Sequence, residues 1–275
     1  MPVILQYNHQ TLDLSTPKVM GIINLTPDSF YDGGKLKNDQ LILNQIEQHL
    51  TDGATLLDLG AYSSRPGAAH VSPDEEKNRL LPIVELAKKN FPDSLISIDT
   101  FRAGIAKEAL ERGAFMINDI SGGNLDDNMY SLVGKTNCPY VLMHMRGTPQ
   151  TMQEFTNYSD VITEVIHELQ QKVNILQSKA ASQIIIDPGY GFSKTLEQNY
   201  QLLQQAEKLL QLNTPVLTGI SRKSMIYKFL ETNPQKALNG TTVLNTIAVQ
   251  KGSSILRVHD VKEAVEVIKL TQNIK

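Results

Sequence analysis

The chain is poor in the residues that build covalent or metal scaffolds. It holds one cysteine, Cys138, and no tryptophan in 275 residues, so an intrachain disulfide is impossible and a cysteine-rich metal site cannot be assembled. Runs of lysine or arginine are missing too. The 26 basic side chains are balanced by 29 acidic ones, for a net charge of -3, which excludes the broad cationic surface that nucleic acids require. Any phosphate bound here is expected to be small and held locally. No apolar run nears the roughly 18 residues of a membrane span, and the opening MPVILQYNHQ turns polar too early for a signal-peptide core. With the solitary cysteine, this gives the expectation of a cytoplasmic protein without nucleic-acid or membrane partners.

What is present is ordinary for a globular chain: 41% hydrophobic and 20% charged residues, which excludes disorder, collagen and coiled coil. At roughly 150 residues per domain the length allows one or two, and α/β barrels fill this range as one. Short Val/Ile/Leu runs recur at Val19–Asn24, Thr55–Gly60, Leu95–Thr100, Met116–Ile120, Tyr140–Met145, Ile184–Pro188, Pro215–Ile220 and Ser254–His259. Continuous apolarity over so few residues predicts strands buried on both faces, the habit of parallel sheets. Between them, Asp39–Asp52, Asp74–Asn90, Arg102–Arg112, Asp160–Ala181, Leu196–Leu212 and Lys236–Gln250 space Leu, Ile and Ala three and four apart, which predicts amphipathic helices. Val261–Thr271 supplies a closing helix. Eight strand-then-helix units predict a (β/α)8 TIM barrel over 17–275, with a doubly wound sheet as the second choice. Val3–Leu14 alternates around Asn8–His9 and predicts a hairpin, within residues 1–16, that plugs the bottom of the barrel.

Nearly every predicted strand ends in a polar residue: Asn24, Asp58, Asp99–Thr100, Asn118–Asp119, His144, Asp187, Ser221–Arg222–Lys223, and Arg257 with His259. In a parallel barrel these ends converge on the face where βα loops build active sites. Asp99, Asn118 and Asp187 suit a flat heterocycle rich in N–H donors, with a guanidine-like edge. Arg65, Lys223, Arg257 and His259, an arc around Asn24, suit phosphate oxygens. Asn24, with Asp32 when its loop closes, offers hard oxygen ligands for Mg²⁺ carried on a diphosphate. Two glycine-bearing loops, 26–34 and 61–67, carry Phe30 and Tyr62 among small polar residues and are expected to close over substrate. Cys138 reads as a buried residue at the start of the fifth strand, and His144 as packing.

The segments Met20–Gly–Ile–Ile–Asn–Leu–Thr–Pro–Asp–Ser–Phe–Tyr–Asp–Gly–Gly34 and Asp58–Leu–Gly–Ala–Tyr–Ser–Ser–Arg–Pro–Gly–Ala68 resemble the two signature segments of the dihydropteroate synthase family. Further collinear matches are Ser97–Ile–Asp–Thr100, Ile117–Asn–Asp–Ile120, Val141–Leu–Met–His–Met145, Asp187–Pro–Gly–Tyr–Gly–Phe192, Gly219–Ile–Ser–Arg–Lys–Ser–Met225 and Arg257–Val–His–Asp260. The resemblance implies a TIM-barrel transferase of folate biosynthesis. Such an enzyme joins p-aminobenzoate to (7,8-dihydropterin-6-yl)methyl diphosphate, forming 7,8-dihydropteroate and diphosphate, and its p-aminobenzoate site is the sulfonamide target. It also implies residue roles. Asp99, Asn118, Met143, Asp187 and Lys223 match pterin-binding positions. Asn24 matches a Mg²⁺ ligand, and Arg65, Arg257 and His259 match the diphosphate grip. Phe30, Ser64, Pro66, Phe192 and Ser224 match the surroundings of p-aminobenzoate, and a homodimer through helices away from the site is implied. Lys223, Arg65 and Asp99 are the expected catalytic residues. The chain departs from the family at Ala61–Tyr62, where many members have Gly followed by Glu or Val, at Ser64 for Thr, and at Ser193 for Gly.

Three other readings compete. A corrinoid-type methyltransferase shares a pterin-facing barrel but needs no diphosphate grip, so Arg65, Arg257 and His259 speak against it. A catalytically inactive pterin-binding paralogue would be signalled by loss of Asn24, Lys223 or Arg257, all of which are present. A Schiff-base aldolase using Lys223 has no evident carbonyl pocket behind it.

Overall fold

The computed structural model describes residues 3–25, 35–62 and 71–274. An antiparallel hairpin, β1 (Ile4–Tyr7) and β2 (Gln10–Asp13), opens the chain, turning at Asn8, whose φ of 52° suits Asn. Eight parallel strands follow: β3 (Lys18–Asn24), β4 (Leu56–Gly60), β5 (Leu95–Asp99), β6 (Met116–Asp119), β7 (Tyr140–Met143), β8 (Ile184–Asp187), β9 (Leu217–Thr218) and β10 (Ile255–Val258). They pair in the order β8-β7-β6-β5-β4-β3-β10-β9. A bridge between Ile186 and Val216, with the Ile186 N–H donating to the Pro215 carbonyl at 2.9 Å, closes the ring between β8 and β9. The TIM-barrel expectation holds and the doubly wound alternative does not.

The helices are α1 (Lys35–Thr51), α2 (Pro73–Asn90), α3 (Ala103–Glu111), α4 (Met129–Thr136), α5 (Val161–Ser178), α6 (Leu196–Gln204), α7 (Ser224–Tyr227), α8 (Leu238–Gln250) and α9 (Val261–Thr271). Their starts follow from local chemistry. Ser72 accepts from the Glu75 N–H ahead of Pro73 and three acids in the first turn of α2, while Lys88 and Lys89 sit at its C-terminal end. Asp160 caps α5, and Thr195 with Gln198 forms a capping box on α6. Two expected helices are shorter than their apolar spacing suggests. Leu196–Leu212 breaks into α6 and a 3-10 stretch over Ala206–Leu212, and Lys236–Gln250 becomes α8 preceded by a 3-10 turn at Pro234–Lys236. No helix among the described residues is long and apolar enough to cross a membrane.

Strand parity organises the interior. Successive side chains on a strand point to opposite faces. Val19, Leu57, Ile96, Ile117, Leu142, Ile186 and Leu256 belong to the large cluster that packs against the helices. Their neighbours Met20, Leu56, Leu95, Met116, Val141, Ile185, Leu217 and Ile255 form a second cluster with Leu5, Leu12 and Leu14 of the hairpin. The hairpin therefore seals the N-terminal end of the barrel, as expected. Two residues further along each strand, the same inward parity reaches Ile22, Asp58, Ser97, Asn118, Met143, Asp187, Gly219 and Arg257, and one step more reaches Asn24 and Asp99. The apolar plug thus turns into a polar layer within about 7 Å of strand rise.

Candidate active site

The polar layer is a connected cluster. Arg257 donates from Nε to Asp58 Oδ2 at 2.6 Å and from Nη2 to Asp99 Oδ2 at 2.7 Å. Asn118 Nδ2 donates to the same Asp58 oxygen at 2.9 Å. Asp58 is fully buried, and its other oxygen, Oδ1, has no partner among the described residues, a costly arrangement unless something is to be bound there. The carboxylates and cations that sequence reasoning drew as two separate groups are not separate: Arg257 lies between Asp58 and Asp99, on the strand-interior side. Asp58, noted as a strand-end residue but given no role, is a central member of the site. Its inward parity with Asn118 and Asp187 was the available signal.

Burial sets the ionisation of this cluster. It pushes the Asp99 carboxyl up to about 7, opposed by Arg257 and reinforced by Asp58. Asp187 is likewise raised by burial, against the pull of Lys223, and Lys223 is lowered by burial to about 8, against the pull of Asp187. Burial alone would weaken the Arg257 charge, but Asp58 and Asp99 outweigh it and hold the guanidinium ionised. Perturbed carboxylates beside a perturbed lysine at the C-terminal barrel face mark a functional site.

Lys223 stands at the N-cap of α7, where its backbone is extended. Its Nζ donates to the Tyr190 carbonyl and lies 4.6 Å from the centre of the Phe192 ring. The neighbouring Arg222 turns away, with φ of 55°, to grip Asp260 through Nε at 2.9 Å and Nη2 at 2.6 Å. That fixes which of two adjacent cations faces the barrel. Ser224, the first residue of α7, is half-buried beside Lys223. Asp187 ends β8, and its Oδ1 accepts from the Gly189 N–H at 2.7 Å. Gly189 has φ of +70°, and a Cβ there would stand 2.0 Å from the His144 carbonyl oxygen, so only glycine fits.

An apolar patch borders the cluster: Phe101, Ile120, Met143, Met145, Met152 and Phe192, with Tyr62 packed against it. Met143 and Phe192 therefore lie in one lining, next to the Lys223 ammonium. Asn24, half-buried, ends β3 opposite Gly60. His259 is also half-buried, and its backbone N–H donates to Ser221 Oγ at 3.1 Å. Tyr62 stacks edge-to-face on Phe101 at 5.1 Å and accepts a hydrogen bond from Gln150 Nε2 at 3.0 Å. Of the remaining expected residues, Phe30, Asp32, Ser64, Arg65 and Pro66 lie outside the described residues, as do most of loops 26–34 and 61–67.

Ser193 adopts φ of 46°, a left-handed conformation that explains why glycine is usual at that place. Its Oγ accepts from the Arg146 N–H at 3.1 Å. Cys138 is buried just before β7 and His144 is buried at its end, as expected. His144 is tied into a polar network: its Nε2 lies 3.0 Å from Glu168 Oε2 and its Nδ1 lies 3.1 Å from Lys194 Nζ.

The family of pterin binding enzymes matches residues 20–259. The dihydropteroate synthase of Haemophilus influenzae is 41% identical over 267 residues, covering 96% of each chain. Among solved structures, the Yersinia pestis dihydropteroate synthase with a sulfonamide drug complex superposes with a TM-score of 0.92 at 40% identity, covering 99% of both chains. The Xanthomonas albilineans dihydropteroate synthase with 4-aminobenzoic acid does so with a TM-score of 0.93 at 34% identity, covering 100% of this chain and 98% of that one. With the barrel, the inward polar layer and these similarities in agreement, the chain belongs to the dihydropteroate synthase family of pterin-binding enzymes.

Proposed function

We propose that this site performs the dihydropteroate synthase reaction by ionisation first and attack second. The bond between the pterin methylene carbon and the diphosphate oxygen breaks, the electron pair leaves with diphosphate, and the dihydropterin ring delocalises the resulting cation. The p-aminobenzoate amine then forms the new C–N bond and loses a proton. A weak arylamine nucleophile needs no strong base once the carbon is cationic. The observation that carries this reading is the set of buried Asp58, Asn118 and Asp187 and half-buried Asp99 on one inward parity, with Arg257 bonded to two of them and Lys223 beside Asp187. Carboxylates in a water-poor pocket hydrogen-bond a guanidine-like pterin edge and stabilise positive charge on the ring. The Lys223 ammonium, beside the Phe192 ring, pulls the Asp187 carboxyl toward its ionised form before the substrate enters.

The diphosphate would be met by Asn24, Arg65, Arg257 and His259, and p-aminobenzoate by Phe30, Ser64, Pro66, Phe192 and Ser224. Within the described residues, no group of three His, Cys, Asp or Glu side chains gathers as a resident metal site. Asn24 contributes one neutral amide oxygen at the strand end. Such a donor fits Mg²⁺ that arrives on the diphosphate, since Mg²⁺ takes one or two protein ligands beside phosphate and water. When bound, Mg²⁺ would neutralise charge on the leaving group, with Asn24, and Asp32 upon loop closure, as its protein ligands.

Exposed apolar side chains at Phe229, Leu230, Val243 and Leu270, on and beside α7–α9, support the homodimer in the same proposal. A cytoplasmic setting completes it. The ionisation step is tested with substrate carrying ¹⁸O in the bridge between methylene and phosphorus, incubated with enzyme and Mg²⁺ but no p-aminobenzoate. Scrambling of the label into non-bridging positions is the expected result, and a fixed label together with normal turnover would contradict ionisation first.

A further inference from the structure

The segment between β8 and α6 has three left-handed residues within five, Gly189, Gly191 and Ser193, with φ of 70°, 81° and 46°. The two glycines adopt this conformation freely, whereas Ser193 is held in it by its surroundings. Within it the Gly191 N–H donates to Asn199 Oδ1 at 2.6 Å, and the Tyr190 carbonyl accepts from Lys223. Beneath it lies a second lysine. Lys194 is only 3% exposed, and its Nζ makes three contacts: the Gly189 carbonyl at 3.1 Å, the Phe192 carbonyl at 3.0 Å and His144 Nδ1 at 3.1 Å.

We propose that Lys194 is a positioning residue for the p-aminobenzoate side of the site, its buried ammonium clamping the Gly189–Phe192 turn so that the Phe192 ring and the Tyr190 carbonyl are held in place. The inference rests on the reading that Phe192 borders p-aminobenzoate. An ammonium has three donors and no acceptor, and three acceptors surround this one, two of them carbonyls of the same turn. The third, His144 Nδ1, must then be unprotonated, which places the imidazole proton on Nε2 facing Glu168 Oε2 at 3.0 Å. Glu168 is held in turn by Arg146, whose Nε donates to its Oε1 at 2.9 Å. Arg146 also gives its backbone N–H to Ser193 Oγ and stacks its guanidinium 3.9 Å from the Tyr158 ring centre. A chain of polar contacts therefore runs from α5 through His144 and Lys194 to the turn that carries Phe192. Burial lowers His144 to about 4, helped by the Lys194 charge, so the imidazole stays neutral in its accepting role. Lys194 is buried behind the turn and touches it at two carbonyls; Asp187 and Lys223 feel its charge but make no contact with it.

Lys194→Met keeps the length of the side chain and removes all three donors. In steady-state kinetics on the Mg²⁺-supplemented enzyme, KM for p-aminobenzoate is expected to rise about tenfold, with kcat and KM for the pterin diphosphate within about threefold of the parent. Phe192→Ala is measured beside it. The double variant is expected to show no further rise over Phe192→Ala, because both substitutions act through one ring. His144→Leu, which leaves the two carbonyl contacts intact, is expected to raise the same KM by a smaller factor, and it decides the matter should Lys194→Met not melt cooperatively. A folded Lys194→Met enzyme with unchanged p-aminobenzoate KM, or with both KM values raised in proportion, overturns the proposal, as does an unchanged KM in His144→Leu where that variant decides. An unchanged KM in Phe192→Ala beside a raised KM in Lys194→Met removes the reading of Phe192 and, with it, the route by which Lys194 is proposed to act.

Discussion

Arg257 and Asp58 lie 199 positions apart in the chain and are joined at 2.6 Å inside the barrel, with Asp99 held by the same guanidinium. Asp58 is fully buried, and its Oδ2 is held by that contact and by Asn118. Arg257→Met should therefore do more than remove a phosphate ligand. Leaving buried carboxylates unpaired is expected to lower stability by about 3 kcal/mol, read as a shift of the urea midpoint at constant slope. Asp58→Asn and the double variant complete a cycle, and a coupling of about 1 kcal/mol or more is expected for groups in direct contact. Strict additivity would show that the pair is not a functional unit.

Lys223→Ala and Asp99→Asn remove charge from the pterin side without touching the apolar plug. Each is expected to lower kcat by about a hundredfold or more, the usual scale for a preorganised electrostatic contact. Unchanged kinetics in either would sink its assigned role. Near-parental melting temperatures in both would localise the loss to chemistry.

The ionisations give a pH profile with a determined sign. Asp99, raised to about 7 by burial, is negative only above that value, so acid should remove the carboxylate that stabilises the pterin cation. Lys223, lowered to about 8 by burial, is positive only below that value, so alkali should remove its ammonium. The plot of kcat/KM against pH is expected to be bell-shaped between limbs near these values, since that ratio reports the free enzyme. Asp99→Asn should flatten the acid limb and spare the alkaline one. An acid limb that survives the substitution unchanged would assign it elsewhere.

Ser193 allows a test of strain against a hydrogen bond. A non-glycine residue at φ of 46° costs about 1 kcal/mol, while the bond from the Arg146 N–H to its hydroxyl returns a similar amount. Ser193→Gly is thus expected to change stability by less than about 1 kcal/mol, the two effects opposing each other. Ser193→Val, branched and without the hydroxyl, should lose at least 2 kcal/mol, roughly. Thermal melts of the two variants decide it.

Much of this arrangement is legible in the residues because strand parity carries both the fold and the site. Met20, Leu56, Val141 and Ile185 meet the hairpin, and two positions on, Ile22, Asp58, Met143 and Asp187 enter the polar layer. The apolar outward residues between them hide this alternation, which is why Asp58 can be seen at a strand end and still be given no role. Arg257 is placed by its strand end, its charge and the family resemblance, none of which says that it turns toward carboxylates on β4 and β5. Helix α4 is not singled out by its sequence, since Tyr130, Val133 and Gly134 are weak helix formers in only eight residues. Gly134 is there for another reason: a Cβ would stand 2.2 Å from the Lys179 carbonyl oxygen. Lys194 leaves no trace in the pattern because its role depends on two carbonyls and an imidazole brought together only by the fold.

The central claim is that the buried carboxylate layer and the cationic rim act on one two-ended substrate. It is tested most directly by mixing the protein with (7,8-dihydropterin-6-yl)methyl diphosphate and Mg²⁺, with and without p-aminobenzoate, and following diphosphate and 7,8-dihydropteroate together. The account predicts equimolar formation of both products only when all components are present, and loss of both in Lys223→Ala. A folded protein that binds the pterin and forms neither product would contradict it and favour an inactive pterin-binding relative.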